Sequence, residues 1–206
     1  MNMSDCINMV WPVSERLMTI LGYHMREVAM RRGDLIFGEE EKTDWLWFCV
    51  SGVFRIFTTS HTKKITVAFG SEGDPIPTLV TYYNGAPSLF GVEVISAQAR
   101  FCRLPMEVFN KLRRTNPEMT EWAYKLVCGQ GMALEEHMVQ HGDGDAYSRY
   151  LHFATTRPKL VKRLPLQYVA EYLNMSRETL SRCRRRFAFD KENTGRSRKS
   201  NIAISE

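Results

Sequence analysis

The segment with the clearest chemistry is an arginine-rich stretch near the C-terminus. From Ser176 to Phe187 it runs Ser-Arg-Glu-Thr-Leu-Ser-Arg-Cys-Arg-Arg-Arg-Phe. Arginine is always charged and carries a planar set of N–H donors, which suits both phosphate oxygens and the acceptor edge of guanine. A glutamate in such a place can accept a hydrogen bond from the cytosine amino group. These residue types therefore predict contact with a polyanion, and with duplex DNA in particular.

Two helices joined by a tight turn are predicted to carry this stretch. In the first helix, which Pro165 can open, Val169, Ala170 and Leu173 lie on one inner face. The alanine is small at the point where a second helix has to cross closely. Asn174 follows where the chain needs a left-handed residue, a conformation that asparagine tolerates better than most residues do.

The second helix has one apolar side and one cationic side. Ser176 can cap it, and Leu180, Cys183 and Phe187 recur at spacings of three and four on the inward side. A helical hairpin with a merely solvated arginine face is the alternative. The joint occurrence of a small residue, a turn residue and the inward apolar positions favours a helix-turn-helix, whose second helix fits the major groove of B-DNA. The outward positions are Arg177, Glu178, Ser181, Arg182 and Arg185.

Positive charge is concentrated in the same C-terminal part of the chain. Residues 141–206 contain 14 Lys and Arg against 7 Asp and Glu, whereas residues 1–140 contain 14 against 16. A mildly acidic larger part followed by a compact basic part is typical of a sensor joined to a module that binds a polyanion.

The composition excludes several classes of protein and favours a cytoplasmic one. With 44% hydrophobic and 25% charged residues, the chain is globular rather than disordered. No apolar run approaches the roughly 20 residues that span a bilayer, and the N-terminus lacks the features of an export signal. Five scattered cysteines favour free, mostly buried thiols in a reducing compartment.

Short strands are predicted between Met25 and about Pro105, after a helical N-terminal segment. Apolar residues alternate with polar or small ones, as at Ile65, Val67 and Phe69, and glycine-bearing turns separate the runs. This pattern predicts an all-β barrel or sandwich. Its aromatic residues either line an apolar pocket or fill the barrel, and filling is the simpler interpretation.

A long helix is predicted to begin at Pro117, with Asn116 as its cap, and to continue to about residue 140. An apolar stripe along it needs a covering partner, which favours a homodimer. Gly129 and Gly131 each cost about 1 kcal/mol within a helix, so either the helix breaks there or a second copy approaches closely. The predicted dimerisation residues are Met119, Trp122, Leu126, Gly129 and Ala133.

A hinge is predicted at residues 141–145, where the sequence is His-Gly-Asp-Gly-Asp. A short helix from Ala146 to about Thr156 follows it. The polar tail after Asp190 is expected to be mobile, and Ile202 and Ile204 alternate like a last strand.

The order of these parts resembles the CRP/FNR family of bacterial transcription regulators over nearly the whole chain. That resemblance implies an α+β fold with three parts: an N-terminal β-roll (a double-stranded β-helix like that of cyclic-nucleotide-binding domains), a long dimerisation helix, and a C-terminal winged helix-turn-helix. The domains would be residues 1–116 for the sensor roll with its N-terminal helix, 117–141 for the linking helix, and 142–206 for the DNA-binding domain with a mobile basic tail. The segments that carry the resemblance are Arg32-Gly33-Asp34-Leu-Ile-Phe, Trp45 to Phe57 with Ser51-Gly52, Gly73-Asp74, and Arg177-Glu178-Thr179 with Ser181-Arg182.

The resemblance also implies roles for residues in a palindromic DNA site. Arg177, Glu178 and Arg182 would contact base edges, with Ser181 as a neighbouring contact. The half-site would be similar to TGTGA or to TTGAT, and the sequence does not choose between them. Hydroxyls, helix N-terminal amides and cations suit phosphate oxygens. The predicted phosphate contacts are Ser176, Thr179, Arg184, Arg185 and Arg186.

The sequence departs from the cyclic-nucleotide-binding members at the place where those hold the phosphate. Such members carry a Gly-Glu pair and later an Arg-Ser pair, whereas here Asp74 follows Gly73 and Pro87 precedes Ser88. No basic residue occurs at positions 65–99. Because a buried phosphate without a cation is costly, we expect no binding of cyclic AMP.

No cofactor, no metal and no catalytic residue is predicted. The oxygen-sensing members hold an iron–sulfur cluster with four thiolates, and only Cys6 lies near the N-terminus. A haem bound through His24 or His61 stays open, although a lone histidine is more often an ordinary polar residue. A cupin-like enzyme would need clustered histidine ligands, and the five histidines are dispersed.

The sequence therefore predicts a cytoplasmic, homodimeric transcription regulator that binds double-stranded DNA and no membrane. RNA polymerase and an unidentified small-molecule effector are further partners that the resemblance allows. One alternative is a β-roll interaction protein whose basic helix contacts RNA or a protein partner. The other is the cupin-like enzyme.

Overall fold

The computed structural model describes residues 1–60, 63–76, 79–142 and 144–202. Two compact units divide the chain, Met1–His137 and Met138–Glu206, and the division falls within one long helix. The boundaries predicted at residues 116 and 141 bracket that helix, and the three-part division stays a prediction. No helix in the described part of the chain is both long and apolar enough to span a membrane.

The described residues form helices in both units and strands in the first unit only. The helices are α1 (Met3–Val10), α2 (Glu15–His24), α3 (Leu79–Asn84), α4 (Met106–Thr115), α5 (Pro117–Gly142), α6 (Ala146–Thr156), α7 (Pro158–Val161), α8 (Leu166–Tyr172) and α9 (Arg177–Ile202). The strands are β1 (Arg26–Arg31), β2 (Leu35–Phe37), β3 (Trp45–Ser51), β4 (Val53–Ser60), β5 (Lys63–Ser71), β6 (Gly91–Val94) and β7 (Gln98–Pro105).

The strands form two antiparallel sheets with a shared apolar interior, which confirms the predicted β-structure. The sheet orders are β1-β7-β3 and β2-β6-β4-β5. Side chains from both sheets meet in the interior, where the rings of Phe54 and Phe101 contact edge to face at 6.1 Å. The turn that leads from β3 in one sheet to β4 in the other is made at Gly52, whose φ is +119°. A Cβ at that position would lie 2.6 Å from the Cβ of Ala99, so only glycine fits the turn.

A helical layer covers the outer face of the β1-β7-β3 sheet. It consists of α1, α2, α4 and the first turns of α5, which share a core with Phe48 and Cys102. Trp122 joins two of these helices, because its buried indole N–H donates to the carbonyl of Ile7 at 3.0 Å. Asn116 Oδ1 accepts from the backbone N–H groups of residues 118 and 119, which confirms the predicted cap of α5.

Three features differ from the sequence-based expectations. The N-terminal segment forms two helices, because Pro12 interrupts the helical hydrogen bonds between α1 and α2. Helix α4 follows directly on β7, although the alternating pattern gave no sign of it. Ile202, which was predicted to begin a last strand, is the last residue of α9, and Ile204 lies outside the described residues, so the wing stays a prediction.

Candidate nucleic-acid interface

The second unit contains the predicted helix-turn-helix at the predicted place. Val169 and Ala170 of α8 and its C-cap residue Leu173 are almost completely buried, with at most 3% of each exposed. Asn174 has a φ of +49°, which confirms the left-handed turn residue. The N–H of Met175 then donates to the carbonyl of Ala170 at 3.0 Å and closes the turn.

Arg149 on α6 holds this turn, although its sequence position gave no sign of such a role. Its Nε donates to the carbonyl of Leu173 at 2.9 Å, and one Nη donates to the carbonyl of Asn174 at 3.3 Å. The other Nη donates to the carbonyl of Gly144. Carbonyls at the end of a helix lack hydrogen-bond partners within the helix. The guanidinium of Arg149 supplies such partners at the end of α8, and it also contacts one carbonyl of the predicted hinge.

Helix α6 begins at the predicted hinge. The carboxylate of Asp145 caps it by accepting from the backbone N–H of Ser148 at 2.7 Å. That hydrogen bond is the main reason why the pKa of Asp145 lies below its ordinary value. Asp143, a further residue of the predicted hinge, lies outside the described residues.

Helix α9 has the predicted cap and the predicted apolar side. Ser176 Oγ accepts from the backbone N–H of Thr179 at 3.1 Å. Leu180 and Cys183 are buried, and the ring of Phe187 contacts the ring of Tyr150 at 5.8 Å. Burial raises the pKa of the Cys183 thiol, so this cysteine stays neutral within the core of the unit.

The opposite side of α9 presents the four predicted base-contacting residues to solvent. Arg177, Glu178, Ser181 and Arg182 are all exposed. Together with two further residues they line one open groove of about 720 Å³. One of these is Arg185, which the sequence assigned to phosphate. The other is Leu166 at the start of α8, which the sequence did not single out.

Glu178 stays ionised in this groove. A hydrogen bond from its own backbone N–H, followed by smaller effects that include the charges of Arg177 and Arg182, lowers the pKa of its carboxyl. An ionised carboxylate only accepts hydrogen bonds. The groove thus combines cationic donors with one permanent acceptor, which is the chemistry needed to distinguish base edges.

The predicted phosphate-contacting residues differ in the contacts that they make within the second unit. Arg186 lies with its guanidinium 3.9 Å from the centre of the Tyr147 ring and pairs with Asp190 at 3.9 Å. Arg184 lies beside the phenol of Tyr150. The hydroxyls of Ser176 and Thr179 are engaged with each other at the start of α9. Their contacts to phosphate stay predictions.

The described residues contain no group of three or more His, Cys, Asp or Glu that could hold a metal ion. The five cysteines, all within the described part of the chain, form no disulfide, as expected. Four of them are buried, and Cys128 is half-buried.

Comparison with known proteins finds similarity in structure and none in sequence families. No family model and no curated protein sequence matches the chain. FixK2 from Bradyrhizobium japonicum has a TM-score of 0.68 at 19% identity, over 81% of this chain and 86% of its own. CLP from Xanthomonas campestris, a c-di-GMP-responsive global regulator, has a TM-score of 0.65 at 15% identity, over 85% and 91%. The catabolite activator protein of Thermus thermophilus has a TM-score of 0.52 at 16% identity, over 89% and 87%.

These neighbours are regulators of the CRP/FNR family. This chain has the CRP/FNR fold. The family resemblance drawn from its motifs is thereby confirmed at the level of the fold, with the β-roll in the first unit and the helical domain in the second.

Within this CRP/FNR fold, the predicted dimerisation stripe lies partly in the wrong place. Met119, Trp122 and Leu126 are buried in the core of their own unit, so they are not available to a second copy and the prediction is wrong for them. The physical reason is that α1 and the sheet already cover this face. Gly129 and Ala133 are exposed, and the helix does not break at Gly129. Their role stays a prediction.

Another stripe of α5 is apolar and exposed. It consists of Tyr124, Val127 and Leu134, which are 59%, 37% and 57% exposed. Gly131 completes a spacing of three, four and three, and a Cβ there would meet nothing within 4 Å. Sequence periodicity could have found this stripe, but it cannot tell which of two stripes the chain covers itself.

The β-roll of this CRP/FNR fold has a buried cation, and that cation is already paired. Arg55 donates to Glu93 at 2.6 and 3.0 Å and to the hydroxyl of Thr66 at 3.2 Å. Phe48, Phe54, Phe57 and Trp47 fill the interior and the sheet faces, which confirms filling as the role of these aromatic residues. The expectation that the roll does not bind cyclic AMP stays a prediction.

Proposed function

We propose that this chain is a sequence-specific DNA-binding regulator of transcription that contacts DNA through α9. The observation that carries the proposal is the two-sided construction of that helix. Leu180 and Cys183 are buried on one side, and the exposed Arg177, Arg182 and Arg185 line one groove on the other. A rigid helix with such a cationic face fits the major groove, where each base pair has its own donor and acceptor pattern.

The polar residues of α9 divide into base contacts and phosphate contacts. Arg177 and Arg182 can each donate two hydrogen bonds to guanine, and the ionised Glu178 can accept from cytosine. Ser181 is a neighbouring contact. Phosphate contacts are proposed for Ser176, Thr179, Arg184, Arg185 and Arg186, which surround the base-contacting residues along the helix.

A homodimer is the proposed binding unit. The exposed stripe Tyr124, Val127, Gly131 and Leu134 has the spacing of a coiled-coil seam. A two-fold dimer would present two copies of α9 to successive major grooves about one helical turn apart, and its site would be palindromic. The names of the structural neighbours, a global regulator and a catabolite activator protein, support the assignment as a regulator.

Selection of bound duplexes from a random pool tests the proposal. We expect enrichment of a palindrome, and an affinity that falls as salt rises because phosphate contacts release counterions. The Lys111→Ala variant removes an exposed cation from the first unit and is the matched control, with no expected change in the enriched sequence. Absence of any enriched duplex, or stronger binding to competing RNA, would contradict the proposal.

Control of DNA binding by an effector is a further part of the proposal. A signal that binds the β-roll would shift the population between DNA-competent and incompetent dimers, and this requires different affinities for the two states. RNA polymerase as a partner and a cytoplasmic location stay predictions, to be tested with the purified protein and by fractionation.

A further inference from the structure

We propose that Thr179 is a positioning residue that orients the guanidinium of Arg182 for base recognition. This inference rests on the proposed DNA binding. Arg182 Nη2 lies 3.1 Å from Thr179 Oγ1. A guanidinium has donors and no acceptor, so the threonine oxygen accepts this hydrogen bond. The contact joins a residue assigned to phosphate to a residue assigned to bases.

Thr179 is itself held in place from the start of the helix. Its backbone N–H donates to Ser176 Oγ at 3.1 Å, and the two hydroxyl oxygens are also 3.1 Å apart. Threonine is β-branched, which restricts its side-chain rotamer within a helix. A continuous set of contacts therefore leads from the cap of α9, through Thr179, to the guanidinium of Arg182 one turn later.

The contact has a consequence for recognition because a free arginine side chain is flexible. An exposed arginine loses rotamer freedom when it binds a base, and that loss opposes binding. Thr179 restricts the side chain before DNA arrives, so less freedom is lost on binding. Nη2 carries a second N–H, and together with Nη1 it still offers the pair of donors that guanine accepts.

Three threonine variants test the proposal on the enriched duplex and on its single base-pair changes. Thr179→Val keeps the shape and removes the acceptor, and Thr179→Ser restores a hydroxyl. Thr155→Val makes the same chemical change on α6, where the hydroxyl donates to the backbone carbonyl of Leu151 at 2.8 Å. We expect Thr179→Val to weaken discrimination about fivefold at the base pair that Arg182→Ala also affects. Thr179→Ser and Thr155→Val should preserve it.

The double variant separates positioning from a direct phosphate contact. With Arg182→Ala already present, Thr179→Val should change base preference no further, because the group that it positions is gone. A uniform loss of affinity on all duplexes, of equal size with and without Arg182, would mean that Thr179 only contacts phosphate and would overturn the proposal.

A measurement without DNA keeps this inference separate from the proposed function. ¹⁵N relaxation of the arginine Nε groups in the free protein should show greater mobility of Arg182 in Thr179→Val and not in Thr155→Val. Unchanged mobility would overturn the role of Thr179 whatever the protein binds. If no duplex is enriched at all, the proposed function fails, whereas an enriched duplex whose preferences survive Thr179→Val overturns only the positioning role.

Discussion

At the residue scale, a few backbone requirements fix the direction in which α9 leaves the turn. Asn174 reverses the chain in the left-handed region, and Ser176 then supplies the cap. Arg149 donates to the adjacent carbonyls of Leu173 and Asn174, so the end of α8 keeps its hydrogen bonds without continuing as a helix. Each of these residues contacts the backbone of the turn, and among the described residues none of their side chains hydrogen-bonds directly to the outward arginines of α9.

Substitution of Asn174 tests the left-handed turn. Asn174→Val should destabilise the second unit by about 1–2 kcal/mol, because a β-branched residue is strained at a φ of +49°. Asn174→Gly should cost about 1 kcal/mol or less, since glycine adopts this conformation freely. The free energy of unfolding in urea is the measurement, and equal effects of the two variants would argue against strain at this position.

Two arginines of α9 should behave differently in DNA binding. Arg182→Ala removes a groove residue and should cost about 1–3 kcal/mol at one base pair, with a broadened sequence preference. Arg186→Ala removes a cation that packs on Tyr147, outside the groove. It should lower the affinity about equally for all duplexes. The slope of log affinity against log salt concentration should become smaller in magnitude by about one. Titrations at several salt concentrations distinguish these outcomes, and a base-specific effect of Arg186→Ala would mean that α9 is rotated relative to our assignment.

At the element scale, α5 has two apolar faces with different tasks. The face with Met119, Trp122 and Leu126 completes the core of the first unit. The face with Tyr124 and Leu134 is exposed. Both stripes have helical spacing, so the sequence pattern alone gave no basis for choosing between a core role and an interface role.

Substitution of Trp122 tests the core role of the first face. Trp122→Phe removes the hydrogen bond to the buried carbonyl of Ile7 and leaves unfilled volume, so it should destabilise the first unit by about 2–4 kcal/mol. Trp11→Phe is the matched control, because Trp11 is 43% exposed and its ring contacts the ammonium of Lys125, which lies 4.6 Å from the ring centre. Its cost should stay near 1 kcal/mol or less. Thermal and urea unfolding measure both, and a small effect of Trp122→Phe would contradict the core role.

At the scale of the whole molecule, the proposed activity depends on two copies of a chain with a sensor-like roll and a basic helical unit. In the proposed complex the positive charge of residues 141–206 would provide the non-specific attraction to DNA, and the palindrome would provide the specificity. A single copy would contact only one half-site. Dimerisation and DNA affinity should therefore change together.

A charge placed on the exposed stripe of α5 tests the dimer. Leu134→Glu should raise the dissociation constant of the dimer roughly 100-fold, because two apolar side chains leave the interface and two charges enter it. Ala133→Glu places the same charge on the stripe that the sequence favoured, and we expect a smaller effect. Sedimentation equilibrium measures the dimer dissociation constant of both variants. A larger effect of Ala133→Glu would mean that the interface is the face with Gly129 and Ala133.

The sequence by itself determined the local features of this protein. The turn at Asn174, the cap at Ser176 and the two-sided α9 follow from residue types and helical spacing within a few positions of each other, and the structure confirms them. The alternation at Ile65, Val67 and Phe69 likewise predicted a strand, because a period of two is a property of one strand, and the observed strand there is β5.

Only the tertiary structure decided which surfaces are covered and by what. It showed that Trp122 belongs to the core, that Arg149 holds the turn from another helix, and that Arg186 packs on Tyr147 instead of standing free. Each of these contacts joins residues from different elements. Periodicity states which residues share a face, but the partner of that face is set by how the elements pack.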